Sequence, residues 1–166
     1  SSANGTSKPI KLNISETMNE IERNDYRYRD EKRKRKVNKK SYTTKGEKIL
    51  IYGGEKNDIF LGCLNCDKFD KESIWDFMNE YGSSLGKFSI WNKFKDYGGE
   101  MGKYSPFNKF CKNPPILVDS SGNFYGYLSV DLFVKQRTDL ELAIYIVDNW
   151  EVISQATNAA YIDIFE

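Results

Sequence analysis

PPILVDSSGNFYGYLSV, residues 114–130, decides the fold class. Pro114 and Pro115 open the segment, and Ile116, Leu117 and Val118 form a short apolar run. Asp119-Ser120-Ser121-Gly122 then makes a turn, in which Gly122 supplies the positive φ of a tight reversal. Phe124, Tyr125, Tyr127 and Leu128 continue into a partner strand. A second hairpin lies upstream. KILIY (48–52) and IFLGCL (59–64) flank the turn GGEKND (53–58). Downstream, Thr138 and Glu141 have capping-box spacing, and Leu140, Ile144 and Val147 trace one helical face with Trp150 and Ile153 beside it. This predicts a helix over about 139–157 covering one side of the sheet. The expected class is α+β, with antiparallel hairpins at about 48–64 and 116–130 and a packed C-terminal helix.

Between the hairpins runs a repeat. SIWDFMNEYG (73–82) is followed by SIWNKFKDYG (89–98) and by the truncated SPFNKF (105–110). Ser73, Ser89 and Ser105 stand 16 residues apart, as do Trp75, Trp91 and Phe107, and Asp76, Asn92 and Asn108. Tyr81 and Tyr97 keep the same step. Sixteen residues are too few for a two-helix solenoid unit. Each unit is expected to form one short helical turn capped by its Ser, then a Gly-rich return. The Asn or Asp after each aromatic would bond to the local backbone.

The repeat, with FLGCLNC before it and NPPILVD and GNFYGYL after it, resembles a family of small bacterial proteins. In that family SxWNxYG-type units precede a PPxIVDxxGNFYGY hairpin. The resemblance covers about residues 46–140. It implies an architecture and a bacterial source, and no chemistry.

The charge is unevenly spread. The net charge is +1, but residues 1–45 hold 13 Lys+Arg against 6 Asp+Glu, while 46–166 hold 12 against 18. SSANGTSKP (1–9) reads as a flexible linker. Residues 10–45 read as a basic helical arm. Asn13 and Glu16 make a capping box there, and Ile14, Met18 and Ile21 share a face. The basic patch comprises Arg27, Arg29, Lys32, Arg33, Lys34, Arg35, Lys36, Lys39 and Lys40. It could contact nucleic acid or an anionic surface, or be a solvated face lying on the acidic body. Residues 46–166 form the single globular domain, with repeats at 73–110. No apolar run of transmembrane length occurs. The polar start is read as that of an exported or lipid-anchored bacterial protein.

The absence of His removes Ser-His and Cys-His nucleophile pairs and imidazole metal ligands. Cys63 and Cys66 form a CxxC, a redox candidate. The alternative makes Cys63 a buried small hydrophobe and leaves Cys66 free or bridged to Cys111. No metal or other cofactor is expected. The carboxylates Asp67, Asp70, Glu72, Asp76, Asp96, Glu100, Asp119 and Asp131 show no spacing that selects a catalytic pair. Trp75, Asn79, Tyr81, Trp91, Asn92, Tyr97, Asn108 and Tyr125 are the candidate binding residues, able to stack on sugars or bases. The competing reading puts these aromatics in the core, because residues 67–113 contain few Leu, Ile or Val.

These readings favour a non-enzymatic interaction module binding a protein or glycan through its repeats, with homo-oligomers open to it. The alternatives are a small enzyme (thiol redox or carboxylate hydrolysis) and a nucleic-acid binder acting through the arm.

Overall fold

The computed structural model of the chain describes residues 46–166 and Asn24. The linker, the helix capped by Asn13 and the basic patch at 27–40 lie outside the described residues.

Strands β1 (Ile49–Gly53), β2 (Ile59–Cys63), β3 (Ile116–Asp119) and β4 (Phe124–Tyr127) form one antiparallel sheet. Its order is β2-β1-β3-β4, so the two predicted hairpins join along β1 and β3. Successive side chains of β1 alternate: Ile49 and Ile51 are buried while Leu50 and Tyr52 are half-buried. The register slips opposite Ile51 and Tyr52, where Gly62 of β2 has φ +109°. A Cβ at Gly62 would lie 2.9 Å from both Ile74 and Tyr81. Glycine therefore lets the first repeat press directly on the strand. Cys63 seals that contact, donating its N–H to the Glu72 carbonyl at 2.7 Å and accepting from the Ile74 N–H at 3.1 Å.

The C-terminal helix is present and a second one follows it. Helix α1 spans Glu141–Ile153 and α2 spans Thr157–Phe165. The predicted capping box is not formed. The Thr138 hydroxyl accepts the Leu140 N–H at 3.2 Å in a local turn, and the helix starts only after Leu140. The buried face is centred on Leu142, Ala143, Ile146 and Val147, with Ile153, and Ile144 is half-exposed. The aromatic rings of the helices reach the repeats. Trp150 stacks on Phe107 at 4.8 Å, and Phe165 meets Trp75 edge-on at 5.8 Å. Sheet, repeats and helices share one core.

The cysteines pair differently from the expectation for Cys66. Cys63 and Cys66 are bonded to each other, and Cys111 is the free thiol. Cys111 is buried, and burial pushes its thiol up from the ordinary range.

Candidate functional site

The repeats are built from consecutive turns, and no helix forms between residues 73 and 110. Backbone bonds climb the chain in steps of three. Ser89 N–H donates to Gly86 C=O, Asn92 to Ser89, and Lys95 to Asn92, at 3.2–3.4 Å. Where a triplet opens on Ser, Asp or Asn, that residue also turns the chain with its side chain. Oγ of Ser73, Ser89 and Ser105 accepts the N–H two residues on, at 3.1 Å in each unit. Oδ1 of Asp76, Asn92 and Asn108 does the same at 2.9–3.0 Å. This is why polar residues that open turns recur every third position. The expectation that Asn or Asp after the aromatic bonds to the backbone is therefore met.

Five triplets and one extra residue complete the 16-residue step, which stacks equivalent side chains in columns. Trp75, Trp91 and Phe107 form the inner column, with ring centroids 5.8 and 5.7 Å apart. Each indole N–H is satisfied within the fold, Trp75 by Leu64 C=O at 2.8 Å and Trp91 by Ile74 C=O at 2.7 Å. A second column runs Phe60, Tyr81, Phe88, Tyr97 and Tyr104 at 5.0–6.4 Å.

These columns locate the predicted binding residues. Trp75, Trp91 and Asn92 are buried and offer a partner no surface. Asn79 and Asn108 are half-buried, with amides spent on Ser73 C=O at 3.0 Å and Gly102 C=O at 2.9 Å. Tyr81 and Tyr97 are half-buried members of the second column. Tyr125 lies apart on the sheet, donating its hydroxyl to Asp119 at 2.9 Å. That bond is the main cause of its pKa, pushed up to about 12. The eight residues form no single site.

Sequence reasoning missed a different set. Phe69, Leu85 and Met101 stand 16 residues apart, and so do Met78, Phe94 and Phe110. All six are 72–83% exposed. Leu85 and Phe94 line a groove of about 500 Å³ against Trp150 of α1. Met101 and Phe110 line the next groove, against the same Trp150. Glu100 and Glu151 lie in both. Lys93 and Lys109 place their ammonium groups 5.4 and 5.2 Å from the rings of Phe94 and Phe110. The signal was available, since the 16-residue step holds for these apolar positions too.

The candidate chemistry finds little geometric support. Asp67, Asp70, Asp76 and Asp131 each accept a backbone N–H two residues on, which makes them turn formers. Asp119 is 4% exposed and accepts four hydrogen bonds. The Asn123 amide, the strongest influence, and its other donors hold its carboxyl well below the usual carboxylate range. The Cys63–Cys66 bridge is buried. Among the described residues no group of three or more Cys, Asp or Glu could hold a metal ion, and no helix is long and apolar enough to cross a membrane. No protein-family model, curated protein or solved structure matches the chain.

Proposed function

We propose that the chain is a non-enzymatic interaction module that docks a protein partner on the exposed apolar face of its repeats. The observation that carries the reading is the pair of apolar rows, Phe69-Leu85-Met101 and Met78-Phe94-Phe110, held at a fixed step by the stacked turns. Single exposed apolar residues are ordinary, but an ordered face of six is the kind of patch that marks an interaction surface. A protein fits it better than a glycan. Half of the six side chains are Leu or Met, which do not offer the ring face a sugar stacks on, and the repeats' buried amides are already bonded. Rigidity favours the reading as well, since a preorganised surface loses little entropy on binding.

The test is capture from a bacterial lysate and envelope fraction with the immobilised full chain, native against Phe94→Ser/Phe110→Ser. Both positions are exposed, so the variant is expected to fold with an unchanged far-UV spectrum. Retention of a protein by the native chain should fall by about tenfold or more in the variant, because buried aromatic anchors dominate interface energies. Equal capture by both chains, or recovery of nucleic acid alone, overturns the proposal.

A further inference from the structure

The apolar face has a charge polarity along the repeat axis. Residues 67–82 carry Lys68 and Lys71 against Asp67, Asp70, Glu72, Asp76 and Glu80. Residues 83–112 carry six lysines against Asp96 and Glu100. The contrast recurs at equivalent positions beside the apolar rows. Where the first unit has Asp76-Phe77 before Met78, the second has Asn92-Lys93 before Phe94 and the third Asn108-Lys109 before Phe110. Where the first has Asp67 before the Phe69 row, the others have Ser83 and Gly99. Beside the Met78 row the face runs from acidic to basic, while directly before the Phe69 row it runs from Lys68 through Ser84 to Glu100, so the two ends carry opposite signs along each row.

Such a face is complementary to itself when turned end for end. A two-fold axis perpendicular to the repeat axis sets the acidic first unit of one copy against the basic units of the other, and repeats the pairing on the other side. The apolar rows then meet along their length. Their size is adequate: six side chains of this bulk, about four-fifths exposed, present on the order of 900 Å². About 800 Å² per partner is usual for a stable complex, and monomers seldom leave more than about 600 Å² of contiguous apolar surface in water. We propose that the occupant of this face is a second copy of the same chain, in an antiparallel two-fold dimer closed by Lys93 and Lys109 of each copy against Asp67 and Asp76 of the other. This rests on the reading of the face as a protein-docking surface and names its partner.

The test uses the full chain in sedimentation velocity over a concentration series, with three variants. Phe94→Ser/Phe110→Ser removes the apolar anchors. Lys93→Glu/Lys109→Glu makes the basic end acidic. Asp76→Asn/Phe77→Lys gives the first unit the pattern already present in the other two, so its turn is retained while its charge rises. The native chain should sediment as a dimer, and each variant alone should need at least about tenfold more chain to associate. Mixing the two charge variants should restore the dimer, since both halves of the mixed interface again pair opposite signs. A native chain that stays monomeric, a dimer indifferent to Phe94→Ser/Phe110→Ser, or charge variants that fail to rescue one another overturns the inference. A monomer that still captures another protein through Phe94 and Phe110 refutes the dimer and leaves the docking surface standing. A monomer that binds anionic vesicles through those residues refutes both.

Discussion

Asn92 does two things that only an amide combines. Its Oδ1 accepts the Phe94 N–H at 3.0 Å and its Nδ2 donates to Gly86 C=O at 2.8 Å, with the residue 1% exposed. Asn108 repeats both bonds one unit on. Asp76 holds the same register in the first unit but cannot donate. It is half-exposed, and the Asp70 carbonyl that an amide at this position would reach is bonded instead by Asn79 Nδ2 at 3.3 Å. Exchanging Asn and Asp at this register therefore has unequal consequences one repeat apart. Asn92→Asp removes one of the two donors to the Gly86 carbonyl and aims a buried carboxylate at it, at a cost of about 3 kcal/mol or more. Burial raises the pKa of the introduced carboxyl, so the deficit should shrink as the pH falls towards 4. Asp76→Asn keeps the turn acceptor and buries no charge, and its effect should stay within about 0.5 kcal/mol. Urea unfolding of both variants at pH 7 and pH 4.5 measures the contrast. Equal losses would mean that the buried amide of Asn92 is not what separates the two units.

At the scale of elements, the β3–β4 hairpin shows what pattern reveals and what it hides. Its strands were legible because Ile116 to Val118 and Phe124 to Tyr127 flank a turn closed by Gly122, at φ +82°. The burial of Asp119 was not legible, because the carboxylate is held there by Ser121, Asn123 and Tyr125, a constellation that no periodicity marks. The pH consequence follows from its depressed pKa. The unfolded value is near 3.9, so the contribution is complete above about pH 5 and is lost as the pH falls through the carboxylate range. Asp119→Asn should lower the unfolding midpoint at neutral pH and flatten its decline between about pH 5 and 3. Urea midpoints across that range test this, and acid limbs of equal slope would remove the assignment. The same limit explains the other misses. Thr138 and Glu141 have the spacing of a cap, but the hydroxyl closes a local turn and α1 starts later. In the repeats the 16-residue step was readable, while the triplet turn beneath it was not, because Ser, Asp, Asn, Gly and Lys all serve as its first residue. The 16-residue step marks the apolar rows, but residue type alone does not separate exposed from buried members. Phe107 is buried and Phe110 exposed within one unit, and the direction of each follows from its place in the triplet.

At the scale of the molecule, the repeats differ from an open solenoid in being tied at both ends. A solenoid whose units touch only their neighbours can fray from either terminus. Here the first unit is bonded to β2 through Cys63, and the third is bonded to the chain after β4, where Val130 N–H meets Pro106 C=O at 2.8 Å. The helices then clasp the inner column from outside, with Tyr161 and Phe165 on Trp75 and Trp150 on Phe107. Phe107 lies between Trp91 and Trp150, so it joins the stack to α1. Phe107→Ala should cost about 3–5 kcal/mol, the range for deleting a buried aromatic. That is a large part of an ordinary domain's stability, and the tethered ends require it to be felt everywhere at once. Trp75 and Trp91 lie in this column and Trp150 stacks on its end from α1, so tryptophan fluorescence reports the repeats and α1, while far-UV circular dichroism reports strands and helices. Both signals should move to the same lower midpoint in Phe107→Ala and remain superimposable. A fluorescence transition that precedes the circular dichroism transition would show the repeats melting away from an intact sheet, and the clasped column would then not be the unit of cooperativity.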